Sequence, residues 1–184
     1  MKATTVLRDE HEGIRLMLKI LQVVTGKLKN GERVDMTHIH GILEFLSVFI
    51  DKCHHGKEED YLFPALEAAG IPREGGPIGV MLTEHSEGRK LIARLNAAVA
   101  AYEAGQTSAA GEVHKAAGEY ISLLSQHIDK EGDILFAMAE GRITAAEDDQ
   151  LVERFEELER ERIGVGKHEE FHAMIDQLSE RYLP

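Results

Sequence analysis

Two short segments of the chain carry the same chemistry. His54-His55-Gly56-Lys57-Glu58-Glu59-Asp60-Tyr61-Leu62-Phe63 and His127-Ile128-Asp129-Lys130-Glu131-Gly132-Asp133-Ile134-Leu135-Phe136 agree at their His, Lys, Glu, Asp, Leu and Phe positions. Each follows a Glu-His pair, Glu10-His11 for the first and Glu84-His85 for the second, at spacings that differ by a single residue. One layout written into both halves is the mark of an internal repeat. In each segment His-x-x-x-Glu sets an imidazole and a carboxylate one helical turn apart on one face, so both can address the same point.

The neighbouring residues indicate which face that is. His127 and Glu131 share a stripe with Tyr120, Leu124, Leu135 and Met138, while His54 and Glu58 continue Leu43, Leu46 and Ile50 toward Leu62. His11 lies between Leu7 and Ile14 or Leu18, and His85 between Ile78 or Leu82 and Ile92. All six polar residues are therefore expected to point inward. Two carboxylates and four imidazoles gathered in an apolar interior without partners would be strongly destabilising. A pair of divalent cations removes that penalty, with Glu58 and Glu131 as bridges and His11, His54, His85 and His127 as terminal ligands. Such a nitrogen and carboxylate set suits iron, and manganese less well, whereas structural zinc prefers a closed tetrahedral set.

The remaining histidines divide into three groups. His38, His40 and His114 have no partner at ligand spacing and are expected at the surface or at helix starts. His55 and Glu59 repeat the pattern one residue out of register, and a turn of about 100° per residue would carry that frame away from the inner stripe. His168 and His172, one turn apart near the end of the chain, are candidates for a further metal ligand.

Holding these residues requires long helices. Apolar residues make up 43% of the 184 positions, with four prolines and no tryptophan, a helical composition. A first helix is expected from Thr4 to about Leu28, and a second from an N-cap at Asp35 to about Ala68, ended by the Gly70 to Pro77 segment. A third should run from Ile78 to Ala104 and a fourth from Ser108 to Glu140. Short connections make successive helices antiparallel, giving an all-α, up-down-up-down four-helix bundle over residues 1–140. Residues 141–184 add two C-terminal helices, Thr144 to Arg162 and Lys167 to Tyr182, expected as an extension packed on the bundle. The charge run from Glu153 to Arg162 reads as a solvated face.

A net charge of −12 without any Lys/Arg cluster argues against a nucleic-acid partner. Cys53, the single cysteine, rules out an internal disulfide and is expected to pack as a small core residue. The first residues lack the apolar stretch of a signal peptide, and no run approaches the roughly 20 apolar residues of a membrane span. A cytoplasmic protein with no membrane partner is expected.

Taken together, Asp9-Glu10-His11, His54-His55-Gly56-Lys57-Glu58-Glu59 with Leu62-Phe63-Pro64, Glu84-His85 with Gly88-Arg89, and His127-Ile128-Asp129-Lys130-Glu131 resemble the hemerythrin-like family. The likeness is closest to bacterial proteins with an HHE cation-binding domain. It implies a four-helix bundle with an oxo- or hydroxo-bridged di-iron site, ligated by His11, His54, Glu58, His85, His127 and Glu131, that binds or reduces O2, NO or peroxide. Oxygen-carrying hemerythrins have a second histidine on the third helix, where Met81 stands here, and a longer spacing from the last histidine to an aspartate. The resemblance thus points away from simple reversible O2 transport. The alternative is a sensor of iron, oxygen or redox state, or an iron-handling module, with the charged extension contacting a redox or signalling partner.

Overall fold

The computed structural model describes residues 1–183. The described residues form α1 (Lys2–Lys29), α2 (36–68), α3 (Pro77–Glu103), α4 (110–140), α5 (Ala145–Arg162) and α6 (Lys167–Tyr182), with no strand. All the boundaries expected from sequence hold within one helical turn. Asp35 caps α2 as expected, accepting from the Thr37 N–H at 3.0 Å. Thr144 opens α5 with a capping box, its own N–H donating to Glu147 Oε2 at 2.8 Å. The start of α1 has no local side-chain cap. Asp148 of α5 serves instead, accepting from the N–H groups of Lys2 at 2.7 Å and Ala3 at 2.9 Å, so the extension completes the first turn of the chain.

Helices α2 and α4 are not uniform. Wider π turns cover Phe45–His54 and Glu58–Leu62 in α2, and Glu131–Leu135 in α4. Across them the N–H of His55 reaches Ile50 O, that of Phe63 reaches Glu58 O, and that of Phe136 reaches Glu131 O, each five residues back. The two copies of the repeat therefore share a backbone irregularity as well as side chains. It begins at the same glutamate in each.

Two apolar clusters fill the interior. One gathers Ile14, Leu18, Leu21 and Val24 of α1 with Ile42, Phe45 and Phe49 of α2, Ile92, Leu95 and Val99 of α3, and Val113, Tyr120 and Leu124 of α4. The other joins Leu7, Leu62, Phe63, Leu66, Ile78, Met81, Leu135 and Phe136. Each of the first four helices passes from one cluster to the other, in alternating direction, as an up-down-up-down bundle requires. Helix α5 adds Leu151 and Phe155 to the second cluster, and α6 adds Phe171, Ile175, Leu178 and Tyr182 to the first. Cys53 is fully buried, as expected. Among the described residues no helix is long and apolar enough to cross a membrane.

Candidate metal centre

The two clusters are separated by a polar layer. His11 falls between Leu7 and Ile14, His54 and Glu58 between Ile50 and Leu62, His85 between Met81 and Ile92, and His127 and Glu131 between Leu124 and Leu135. All six are buried, and the two glutamates have no exposed surface. The histidines meet in pairs, His11 Nε2 at 3.1 Å from His54 Nε2 and His85 Nε2 at 3.1 Å from His127 Nε2. Each glutamate spans both pairs. Glu58 presents Oε1 to His54 Nε2 at 3.7 Å and Oε2 to His85 Nε2 at 3.4 Å. Glu131 presents Oε2 to His11 Nε2 at 3.2 Å and Oε1 to His127 Nε2 at 3.1 Å. The structure thus brings the six residues singled out in the sequence to one point.

None of the four carboxylate oxygens accepts a hydrogen bond. Buried acceptors left in this state are costly, and cations between them would meet that need, so the donor set fits two metal ions. His11, His54, Glu58 and Glu131 form one group of converging ligand atoms, and His55, Glu58, His85 and His127 form another.

A second set of carboxylates stands behind the rings. His54 Nδ1 donates to Glu10 Oε2 at 2.7 Å, His85 Nδ1 to Glu59 Oε1 at 2.7 Å, and His127 Nδ1 to Glu84 Oε2 at 2.9 Å. With Nδ1 turned to a carboxylate, Nε2 is the nitrogen that faces the centre, the one a metal ligand would use once it is deprotonated. Glu10 and Glu84 are in turn held by Lys57 and Lys130, which occupy matching places in the two repeats. Glu59 also accepts from Arg89 at 2.7 Å. The sequence carries a signal for these roles: Glu10 and Glu84 directly precede histidines of the polar layer, and both lysines recur in the matched segments.

The out-of-register frame does not face away. His55 is 4% exposed, and its ring stacks on His85 with centroids 3.8 Å apart and 16° between planes. Its expected outward direction assumed uniform α-helix. The π turns on either side place consecutive residues at less than the α-helical rotation, so His54 and His55 both look inward.

Burial and neighbouring charge divide the two glutamates. Burial, then the Glu131 charge, pushes the Glu58 carboxyl well above the usual range. Burial works in the same direction on Glu131, but His127 and His11 outweigh it and hold that carboxyl well below the usual range. Two like groups sharing one site separate in this way. Burial lowers His54 to about 4 against the pull of Glu10, and lowers His55 with help from the histidines around it, so both rings are neutral.

His168 and His172 lie outside these two groups. His168 Nδ1 meets Glu159 Oε1 of α5 at 3.0 Å, and its Nε2 is 2.7 Å from His172 Nε2. Glu159, Lys57 and Glu10 separate them from His54: Glu159 Oε2 accepts from Lys57 Nζ at 3.0 Å, Lys57 holds Glu10, and Glu10 accepts from His54. The stretch from Glu153 to Arg162 is consequently not a wholly solvated face. Glu159 turns inward to Lys57, while Arg162 stays exposed and pairs with Asp60 at the surface. Of the other histidines, His40 pairs with Glu103 at the surface, while His38 is partly buried against the Tyr182 hydroxyl at 2.7 Å. His114 is also partly buried, with no partner for its Nδ1.

A four-helix bundle whose core is a symmetric layer of paired histidines and spanning glutamates defines a class of cation-binding protein. The chain belongs to the hemerythrin HHE cation-binding domain family, which matches residues 2–139. An uncharacterized protein of Mycobacterium tuberculosis is 26% identical over 95% of this chain and 66% of its own length. The iron-sulfur cluster repair protein YtfE of Musicola paradisiaca is 28% identical over 73% of this chain and 62% of its own. The iron-sulfur cluster repair protein DnrN of Neisseria gonorrhoeae is 38% identical over 46% of this chain and 55% of its own. The chain spans at most two thirds of the length of these relatives. No solved structure gives a significant match.

Proposed function

We propose that the chain is a non-haem di-iron protein whose iron pair is bridged by Glu58 and Glu131, ligated by His11, His54, His85 and His127, and reacts with O2, NO or peroxide. The observation that carries this reading is the pair of glutamates, each offering one unpartnered oxygen to each histidine pair. When bound, an iron pair supplies one-electron redox steps and a coordination position for a small ligand. Glu10, Glu59 and Glu84 keep the imidazoles in the ligating tautomer, and the apolar clusters on either side exclude bulk water. Tyr120, its hydroxyl buried and unpartnered, lines a cavity of about 10 Å3 with His55, His85 and His127 and can yield a proton or an electron nearby. Two relatives named as iron-sulfur cluster repair proteins support a role connected with iron-sulfur cluster repair, which this reading sets in the cytoplasm.

Iron analysis of protein purified without added metal, joined to absorption spectra before and after air exposure, tests the reading. Two irons per chain and a new charge-transfer band in the near ultraviolet or visible are expected. Fewer than two metals per chain after iron is supplied overturns it.

A second reading has its own observation. The linkage His172, His168, Glu159, Lys57, Glu10, His54 ties the C-terminal helices to the site. In a sensor or iron-handling module, metal occupancy would be read by a protein partner through α5 and α6. Metal-dependent protease resistance of those helices with negligible consumption of NO or peroxide favours this reading.

A further inference from the structure

We propose that His168 and His172 form a separate metal site on the C-terminal extension, which holds one exchangeable zinc ion or another divalent ion that favours imidazole. The site stands independently of what the bundle core binds. The last helix contains His168-Glu169-Glu170-Phe171-His172, a His-Glu-x-x-His sequence. On a helix that spacing sets two imidazoles one turn apart on one face, an arrangement suited to zinc.

Three observations support a ligand role. The Nε2 atoms of His168 and His172 converge to 2.7 Å, as those of the two core pairs do at 3.1 Å. Two zinc–nitrogen bonds of about 2.0–2.1 Å at a tetrahedral angle span about 3.3 Å, so the rings need to part by only about 0.6 Å to admit the ion. Glu159 Oε1 stands 3.0 Å from His168 Nδ1, the placement that Glu10, Glu59 and Glu84 have behind the core rings. A carboxylate there orients the ring and raises the basicity of its other nitrogen. Phe49 closes edge-on against both rings, with centroids 5.3 Å from His168 and 6.5 Å from His172, which restricts the pair before an ion arrives.

The surroundings make the ion exchangeable. His172 is exposed and His168 partly buried, and the net charge of −12 favours approach of a cation. Among the described residues no group of three or more converging His, Cys, Asp or Glu ligands contains both rings, which leaves the rest of the coordination to water. Catalytic zinc takes three protein ligands, so two imidazoles make a binding site rather than a hydrolytic one, although Glu169 holds the place of the general base in the motif. An ion here ties α6 to Glu159 of α5, and through Lys57 and Glu10 to His54.

Equilibrium dialysis of the iron-loaded protein against zinc near neutral pH, with zinc and iron both counted, tests this. Wild type should take up one zinc per chain with its iron retained. His172→Gln should bind that zinc about tenfold more weakly or worse, with iron content and absorption spectrum unchanged, because the exposed His172 ring lies outside the core ligand groups. Copper(II) in place of zinc should give an electron paramagnetic resonance spectrum split by two imidazole nitrogens in wild type, and His172→Gln should lose that splitting. No zinc uptake by wild type overturns the site, as does uptake equal in number and affinity in the two proteins, or zinc that enters only as iron leaves. Fewer than two irons per chain overturns the reading of the core alone, since the zinc lost with His172 is counted against wild type in the same state.

Discussion

The lysines of the two repeats occupy matching positions but should differ sharply in what they contribute. Lys57 and its partner Glu10 have side chains only 1% and 4% exposed, and Lys57 also meets Glu159 of α5. Lys130 and Glu84 are 36% and 16% exposed. Removing one member of a buried pair strands the other, at about 3–5 kcal/mol, whereas an exposed pair contributes about 0–1 kcal/mol. Lys57→Met leaves the buried Glu10 carboxylate with only His54, so a loss near 3 kcal/mol or more is expected. Lys130→Met should lose about 1 kcal/mol at most, since water can solvate Glu84. At this chain length the first change corresponds to a fall in Tm of roughly 6–20 °C and the second to about 4 °C or less. Urea unfolding of both variants in excess chelator, where metal binding adds nothing, measures the difference. The double variant Lys57→Met with Glu10→Gln should recover much of the loss, because it removes the stranded charge. Equal destabilisation by the two single substitutions would refute this reasoning, as would a Lys57→Met loss below about 1 kcal/mol.

Glu58→Ala and Glu131→Ala should each lower metal content toward one ion or none per chain, and retention of two metals in both variants would remove the bridge assignment. The docking of α6 should depend on pH through His168, which faces Glu159 from α5, Lys57 from α2, Glu10 from α1 and His172 on its own helix. The hydrogen bond to Glu159 raises His168 above its usual 6.5, and the same bond holds Glu159 down at about 2. The His168 contribution is fully present below 6.5 and is lost as pH rises through its folded value, while the Glu159 contribution is present above its usual 4.5 and is lost as pH falls toward 2. Protection of α6 amides from hydrogen exchange should therefore weaken above neutrality, and a His168→Asn variant with the same pH profile would contradict the assignment. Burial pushes the Cys53 thiol up to about 12, so a thiol reagent at pH 8 should label it only at the rate of unfolding. Labelling that scales with reagent concentration under native conditions would show an open path to that thiol.

The legible part of the molecule was the part written twice. Helical periodicity and capping residues located every helix, and the doubled His-x-x-x-Glu with its upstream Glu-His selected residues that converge at one point. Features whose meaning depends on contacts between distant helices were read less well. Lys57 is hydrophilic by type, yet it is enclosed because α5 lies over it and Glu159 descends from a run that looks purely solvated. The register of His54 and His55 was harder still. Pro64, with no N–H to offer the turn before it, gives one local reason for the wide turn at Glu58–Leu62, but Glu131–Leu135 has the same form without a proline. What the two turns share is a buried glutamate of the polar layer at their start, so the distortion follows the site rather than the local sequence. A helix bent to aim a carboxylate also redirects the residues beside it, which is how His55 and Glu59, discarded by α-helical geometry, reach His85 from its face and from its Nδ1.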